Sequence, residues 1–390
     1  MRKSVQTLIL ALAVTLLSLL AACSLPQVSA QQRTFLDLSL EFLGEYKLPK
    51  QKFKDTSVGG LSALAYDRKS DRFYALSDDQ SVYAPARFYT LKLSLGNSGI
   101  QKVEVENVTF LKGEDGKTYP KNAIDPEGIA LSPQRTLFIS SEGVARNNIP
   151  PSIQEFDLQT GRLRQKFSIP QRYIPDATGD RQQRGVQDNL GFEALTLNPT
   201  GSTPASGEPI RLFTATESAL VQDRDPVQLD ERGNPKPQII KSRLLHYLIS
   251  DRSPIILSEH LYQLSLAPPG AQYHGLVELL AIDQGGHFLS VERSFGLFGI
   301  NIRIFQLATG AATDTSRIAS LKGELRAVEP VKKRLLLDLK ELGISLDNLE
   351  GMAKGPRLPD GSQSLVLVSD DNFSDRQVTQ FLLFRLKNRP

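Results

Sequence analysis

Five stretches of this chain repeat one plan, in which two short apolar segments are joined by a turn. The turns are rich in Gly, Pro or Asp, and the second apolar segment of each stretch ends on an acidic residue. Two such segments around such a turn are the signature of a β-hairpin. Self-similarity of this kind indicates a repeat architecture, which constrains the fold more than any local motif does. The five stretches are residues 62–78, 125–142, 191–217, 278–292 and 350–370.

Each hairpin continues into further strands. An alternating segment follows the terminal acid of every stretch, and several stretches add a fourth segment, such as residues 102–111 or 163–169. Four antiparallel strands per unit form the blade of a β-propeller. We therefore predict an all-β fold, a β-propeller of five four-stranded blades. Because about 70 residues per unit is long for a blade, six blades with one degenerate blade in the insertions is the alternative.

The two ends of the chain indicate how the ring closes. The last stretch ends near Pro390 without a fourth strand, whereas residues 36–48 form a strand that belongs to no hairpin. We expect these N- and C-terminal strands to pair with each other. Residues 332–343 carry leucines at helical spacing and end on Gly343, which predicts a short surface helix before the fifth stretch.

Two series of acidic residues recur in the repeat. The first strand of a propeller blade lines the central channel, and the second strand runs antiparallel to it, so both acids of a blade should meet at one mouth of the channel. At roughly 6 Å and an effective dielectric constant of about 20, two carboxylates repel by about 3 kcal/mol, so a ring of them needs arginines, shared protons or a bound cation. The first series is Glu127, Glu193, Glu278 and Glu350, with Ser62 in the first stretch, and the second is Asp78, Glu142, Glu217, Glu292 and Asp370.

Carboxylate oxygens suit Ca²⁺ or Mg²⁺ rather than zinc, and the chain has one cysteine and four histidines. We expect the second series to bind Ca²⁺ and the first series to act in catalysis. A cation with arginines around it suits the binding of a phosphate ester. In the alternative, the acids accept hydrogen bonds from neighbouring blades and pair with arginines, and so serve stability. The expected substrate contacts are Arg146, Arg293, Arg376 and His274.

The sequence argues against several other enzyme classes and against a nucleic-acid partner. The chain has no Gly-x-Ser-x-Gly elbow, no Gly-x-x-x-x-Gly-Lys-Ser/Thr loop and no His-Glu-x-x-His pair, which argues against a serine hydrolase, a nucleotide hydrolase and a zinc protease. Lys and Arg number 46 against 43 Asp and Glu, and no basic face is clustered, so we expect no nucleic-acid partner. We also expect a monomer.

The N-terminus indicates export. Met1-Arg2-Lys3 is a positive start, residues 8–20 are apolar, and small residues precede Cys23, the only cysteine. This segment resembles a bacterial lipobox, which implies that Cys23 carries lipid and tethers the protein to a membrane. A plain cleaved signal peptide is the alternative. We predict a signal peptide at 1–22, a tether at 23–34, a propeller at 35–390, and a location in the cell envelope on the periplasmic side of a membrane.

Three short segments place a glutamate before a small residue: Asp-Pro-Glu-Gly at 125–128, Gly-Phe-Glu-Ala at 191–194 and Asn-Leu-Glu-Gly at 348–351. These segments resemble the phytase-like family described as having esterase-like activity. The resemblance extends from about Val58 to Leu386. It implies an acidic β-propeller linked to phosphoester hydrolysis, and Ser62 departs from a fully symmetric ring of acids. The sequence thus favours a lipid-anchored, Ca²⁺-dependent hydrolase of a phosphorylated small molecule. The alternative is a non-catalytic propeller lipoprotein that binds a ligand or a partner protein.

Overall fold

The computed structural model describes residues 34–199, 209–233, 236–250 and 253–388. The signal peptide, Cys23 and nearly all of the tether lie outside these residues, so the predictions for them stay predictions. The described chain begins with strand β1 (Leu38–Leu48) and a small hairpin of β2 (Gln51–Phe53) and β3 (Thr56–Val58). Among the described residues, no helix is both long enough and apolar enough to cross a membrane.

The remaining strands form the blades. Blade 1 contains β4 (Leu61–Asp67), β5 (Arg72–Ser77), β6 (Arg87–Gly96) and β7 (Gly99–Phe110). Blade 2 contains β8 (Pro126–Leu131), β9 (Thr136–Ser141), β10 (Ser152–Asp157) and β11 (Leu163–Lys166). Blade 3 contains β12 (Phe192–Leu197), β13 (Ile210–Thr216), β14 (Lys241–Ile249) and β15 (Ile255–Gln263). Blade 4 contains β16 (Ala271–Ala281), β17 (His287–Gly296), β18 (Gly299–Ala308) and β19 (Lys332–Asp338). Blade 5 contains β20 (Asn348–Arg357), β21 (Gln363–Asp370), β22 (Thr379–Asn388) and β1.

The blades form a closed ring of five, which confirms the predicted propeller and excludes the six-bladed alternative. The first strands contact one another in a circle, from β4 through β8, β12, β16 and β20 back to β4. β1 pairs antiparallel with β22, from Leu38 opposite Asn388 to Leu48 opposite Thr379, so the terminal strands close the ring as expected. This pairing covers the edge of β22 that would otherwise be open.

The hydrophobic core lies between adjacent blades. One cluster joins blades 5 and 1 and includes Val366, Phe381, Phe73 and Tyr89. Comparable clusters fill the spaces between blades 1 and 2, blades 2 and 3, and blades 3 and 4. The sheets of blades 1, 2 and 3 are therefore covered on both faces, which explains why their inner strands are apolar runs rather than alternating sequences.

The helix predicted at 332–343 is wrong. Its first half is β19, which pairs with the open edge of β18, and its second half is a 3-10 turn at Leu339–Leu342. Gly343 ends the turn with φ of 66°, which confirms the predicted end of this element at Gly343. Ladder hydrogen bonds to β18 outweighed the helical spacing of the leucines, as tertiary pairing often outweighs local propensity.

Candidate metal centre at the mouth of the propeller

A β-bulge at the start of each blade points one side chain toward the channel. The pairing of first and second strands shifts at Leu61/Ala63, Pro126/Ile129, Phe192/Ala194, Leu276/Glu278 and Leu349/Gly351. Bulges of this kind redirect side chains and are frequent beside functional sites. The side chains at the bulges are those of Ser62, Glu127, Glu193, Val277 and Glu350.

Carboxylates from four blades converge at this end of the ring, which we call the acidic mouth. It combines bulge residues with acids that end the second strands, and it adds Asp125, whose carbonyl accepts the Glu142 N–H at 3.1 Å. These acidic side chains are buried or half-buried, and each carboxylate shifts the pKa of at least one other carboxylate in the group. The members are Asp78, Asp125, Glu127, Glu142, Glu193, Glu217, Glu350 and Asp370.

Two triads within the mouth have the spacing of a cation site. Oxygens of Asp125, Glu127 and Glu142 lie within 4.8 Å of one another, and so do oxygens of Glu142, Glu193 and Glu217. Oxygens at about 2.4 Å from one Ca²⁺ are at most about 4.8 Å apart, so the residues fit this cation. Glu142 belongs to both triads, and each triad mixes the two sequence series. The sequence prediction that one series binds metal and the other catalyses does not correspond to this geometry.

The carboxylates of the mouth are poorly compensated. Burial, and then repulsion from Glu193, Asp125 and Asp78, raises the pKa of Glu127 well above its usual range. Burial and the nearby Asp125 and Glu217 do the same for the pKa of Glu142. Burial raises the pKa of Asp125 to about 7, although a hydrogen bond from Gln80 opposes the shift. Burial and mutual repulsion therefore favour the protonated forms of these carboxylates, and Asp125 titrates near neutral pH.

Blade 4 departs from the expected ring by one residue. β16 and β17 place Gly275 opposite Arg293 and Leu276 opposite Glu292. In blade 3, the Glu217 N–H donates to the Gly191 carbonyl, and Phe192 lies opposite Thr216. Arg293 therefore takes the place that Glu217 holds in blade 3, and Val277 takes the place of Glu193. The prediction that Glu278 and Glu292 join the other acids at the mouth is wrong.

Glu278 and Glu292 are instead enclosed by their own partners. The buried Glu278 carboxylate accepts the Leu279 N–H at 2.8 Å and the Met352 N–H at 3.2 Å, which links blade 4 to blade 5. Burial raises the pKa of Glu278 well above its usual range.

Glu292, 1% exposed, accepts the Tyr262 hydroxyl at 2.7 Å and pairs with the ammonium of Lys333. Both glutamates therefore serve the packing of blade 4, the role that the structural alternative assigned to the whole series.

Arg293 brings a positive charge into the acidic mouth. Its guanidinium donates to the side chains of Glu350 and Asn348 and lies 3.3 Å from Glu217. Burial alone would lower the pKa of Arg293, but Glu350, Glu217 and Glu193 raise it above its ordinary value, so it stays charged. Arg293 thus neutralises part of the mouth, including Glu217 of the second triad, whereas no salt bridge reaches the first triad among the described residues.

The other expected substrate contacts are placed differently. Arg146 lies at the rim, where it donates to Asp188 at 2.9 Å and to Gln80 at 2.8 Å, and Gln80 in turn donates to Asp125 at 2.6 Å. Arg376 is exposed on the loop after Asp370.

His274 is buried and away from the triads. Its ring nitrogens lie 2.8 Å from Ser294 Oγ and 2.8 Å from the Ser265 carbonyl, and burial lowers its pKa. His274 is therefore held within blade 4 rather than at the rim.

A polar groove lies at Arg146, which is linked through Gln80 to Asp125 of the first triad. It has a volume of about 420 Å³, and its charged lining residues are Arg146, Asp180, Asp188 and Arg224. Arg146 is held by Asp188, whereas the exposed Arg224 side chain has no partner among the described residues. A volume of this size is in the range of small-molecule sites.

Asp125 was absent from the site predicted from the sequence, although it stands where other blades have Gly60, Gly191 or Asn348.

Five closed blades with carboxylates converging on one mouth define an acidic five-bladed β-propeller. The sequence matches the phytase-like family model, described as "Esterase-like activity of phytase", over residues 56–373. The chain belongs to this family.

Solved structures match the chain only at low similarity. The Dos1 propeller has 10% identity and a TM-score of 0.33, with 83% of this chain and 68% of that chain covered. An endo-arabinase from Bacteroides thetaiotaomicron has 12% identity and a TM-score of 0.38, with coverage of 87% and 99%. A β-fructofuranosidase from Bombyx mori has 10% identity and a TM-score of 0.36, with 83% of this chain and 58% of that chain covered. This level of similarity carries no information on function. No curated protein matches the sequence significantly.

Proposed function

We propose that this protein is a metal-dependent phosphoester hydrolase whose acidic mouth binds Ca²⁺. The observation that carries the proposal is the pair of carboxylate triads sharing Glu142, placed beside a groove lined by Arg146 and Arg224. Buried carboxylates that repel one another are stabilised by a hard cation, and Ca²⁺ takes six to eight oxygen ligands at about 2.3–2.6 Å. Membership of the phytase-like family supports the assignment to phosphoesters.

The residues of the chain have separate tasks in this proposal. Asp125, Glu127, Glu142, Glu193 and Glu217 supply the oxygens that hold the cation. A bound cation would neutralise phosphate charge and lower the pKa of a coordinated water. Arg224 offers an unpaired guanidinium to the phosphate, and Asp188 and Gln80 fix the orientation of Arg146. Arg293 sets the charge of the mouth by pairing with Glu350 and Glu217.

We also propose that the protein is exported and anchored in the cell envelope through Cys23, on the strength of residues 1–23.

Hydrolysis of a chromogenic phosphomonoester tests this proposal. The wild-type protein is expected to hydrolyse p-nitrophenyl phosphate with excess Ca²⁺ and to lose the activity with a chelator. Glu193→Gln, which removes one charge from the second triad, is expected to reduce the rate strongly. Equal rates for the variant and the wild type would contradict catalysis at this mouth.

A second function is favoured by one observation, the use of Glu278 and Arg293 to link neighbouring blades. In this reading the protein is a non-catalytic propeller that binds a ligand or partner. Ca²⁺ binding without hydrolysis of phosphomonoesters or phosphodiesters would favour it.

A further inference from the structure

The central channel has a second site at the end away from the acids. A cavity of about 180 Å³ lies there between the first strands of all five blades. Apart from Pro199, its lining consists of three successive rings, formed by the second, third and fourth residues after each bulge. The outermost ring is Tyr66, Leu131, Leu197, Ala281 and Lys354.

Most side chains that line this cavity are apolar, and the polar ones belong to Tyr66, Thr196 and Lys354. The two inner rings contribute leucine, isoleucine, methionine and alanine, with Thr196 as the polar member. The Thr196 hydroxyl oxygen already accepts the Ala281 N–H at 3.0 Å. Lys354 is the only charged residue that lines the cavity among the described residues. This end of the channel therefore has mostly apolar side chains and one positive charge.

The Lys354 ammonium lacks a counter-ion. It donates to the Ile282 carbonyl at 3.2 Å, and no carboxylate lies within 4.0 Å of it among the described residues. Asp283 is near, but its carboxylate is used by His287 Nδ1 at 2.7 Å and by the Gly285 N–H at 2.8 Å. An ammonium group has three donors, so two remain for a ligand.

A lysine at the edge of a channel commonly extends its ammonium into water. Lys354 is half-buried, and its hydrogen bond to Ile282 holds the ammonium beside the wall of the channel. Burial lowers the pKa of Lys354, which reflects the cost of holding this charge without a partner. An anion in the cavity would remove that cost.

We propose that this cavity binds a small monocarboxylate with an apolar body of about the size of benzoate, with the carboxylate on Lys354. An apolar cavity of about 150 Å³ accommodates benzene, and one water occupies about 30 Å³. A volume of about 180 Å³ therefore holds an aromatic ring and a carboxylate. A phosphate dianion would find a single cation in this cavity, and a neutral apolar molecule would leave the ammonium unpaired.

The site is separate from the acidic mouth. Four residues of extended strand, from Glu350 to Lys354, span about 13 Å. Binding is therefore measured in the presence of a chelator, so that its outcome does not depend on Ca²⁺ or on hydrolysis at the mouth.

Isothermal titration calorimetry of the full-length protein with benzoate and with benzyl alcohol tests the proposal. The wild type is expected to bind benzoate more tightly than benzyl alcohol. Lys354→Met keeps an apolar side chain of similar length and is expected to weaken benzoate binding about tenfold or more, the effect of losing a hydrogen bond to a charged group. The matched control is Lys332→Met, at an exposed lysine in β19, which should bind like the wild type.

A second variant keeps the test decisive if Lys354→Met unfolds. Leu280→Phe narrows the cavity without changing its charge and is expected to weaken benzoate and benzyl alcohol alike. Failure of the wild type to bind benzoate would overturn the proposal. Equal benzoate affinity in the wild type and either variant would overturn it as well.

Discussion

Arg293 occupies in blade 4 the position that Glu217 occupies in blade 3, and its guanidinium lies 3.3 Å from the Glu217 carboxylate. The ring of acids is therefore interrupted by a cation at one blade. Arg293 neutralises the part of the mouth near Glu350 and Glu217, whereas the first triad, Asp125, Glu127 and Glu142, has no salt bridge among the described residues.

Arg293→Gln is expected to lower the free energy of unfolding of the metal-free protein by about 3 kcal/mol, because removing one partner leaves buried carboxylates unpaired. The same change adds net negative charge to the mouth, so Ca²⁺ should stabilise the variant more than the wild type. Chemical denaturation with and without Ca²⁺ measures both effects. Arg326→Gln, at an arginine that is 85% exposed, is the control. A variant as stable as the wild type without metal would contradict the assigned ion pairs.

The stability of the metal-free protein is expected to fall as pH rises from about 5 to about 7.5. Burial raises the pKa of Asp125 to about 7 and raises the pKa of Glu127 and Glu142 as well. Because the folded state holds these protons more tightly than the unfolded state, their stabilising contribution is present at low pH and is lost as pH rises through the folded pKa.

Excess Ca²⁺ should reverse this trend, because the cation binds the deprotonated carboxylates. Thermal unfolding over this pH range, with chelator or with Ca²⁺, measures the effect. A metal-free protein that becomes more stable toward pH 7.5 would contradict the account of the mouth.

Glu292→Gln is expected to lower the free energy of unfolding by about 3 kcal/mol, because it leaves the Lys333 ammonium without its buried partner. Affinity for Ca²⁺ should be unchanged, since Glu292 lies away from the triads. In a double-mutant cycle with Lys333→Met, the double variant should lose less stability than the sum of the single variants. Weaker Ca²⁺ binding in Glu292→Gln would restore the sequence prediction that this residue binds metal.

Arg224→Gln is expected to raise the KM for p-nitrophenyl phosphate roughly tenfold with little change in kcat, because a lost charge-assisted hydrogen bond contributes about 1.5–3 kcal/mol. Steady-state kinetics with Ca²⁺ present measures this split. The matched control, Arg317→Gln, changes an exposed arginine between β18 and β19. Equal KM values for both variants and the wild type would show that the groove is not part of the substrate site.

Much of the fold could be predicted from the repeat, because the strands, the blade number and the closure all follow from pattern and turn chemistry. The helix at 332–343 was missed because the open edge of β18 is not visible in the sequence around Leu335. Such edges belong to tertiary structure.

The convergence of acids at one mouth could be predicted only in part, because the side chains of a propeller strand alternate between its two faces. In blade 4, aligning Glu278 with Glu193 shifts the register by one residue and reverses the direction of every side chain. Aligning Gly275 with Gly60 and Gly191 would have placed Arg293 at the mouth. The convergence of Asp125 with Glu142 needed the three-dimensional arrangement, since neither residue marks a known motif on its own.

The central claim is that the two triads bind a cation through Glu142, and calorimetric titration with Ca²⁺ at pH 7.5 tests it most directly. The matched pair of variants is Glu142→Gln and Glu278→Gln, the same substitution at two buried glutamates, of which only the first lies in a triad. We predict that Glu142→Gln weakens Ca²⁺ binding at least about tenfold, since even an outer-shell change has that effect, and that Glu278→Gln binds like the wild type. No Ca²⁺ binding by the wild type, or equal weakening in both variants, would contradict the account.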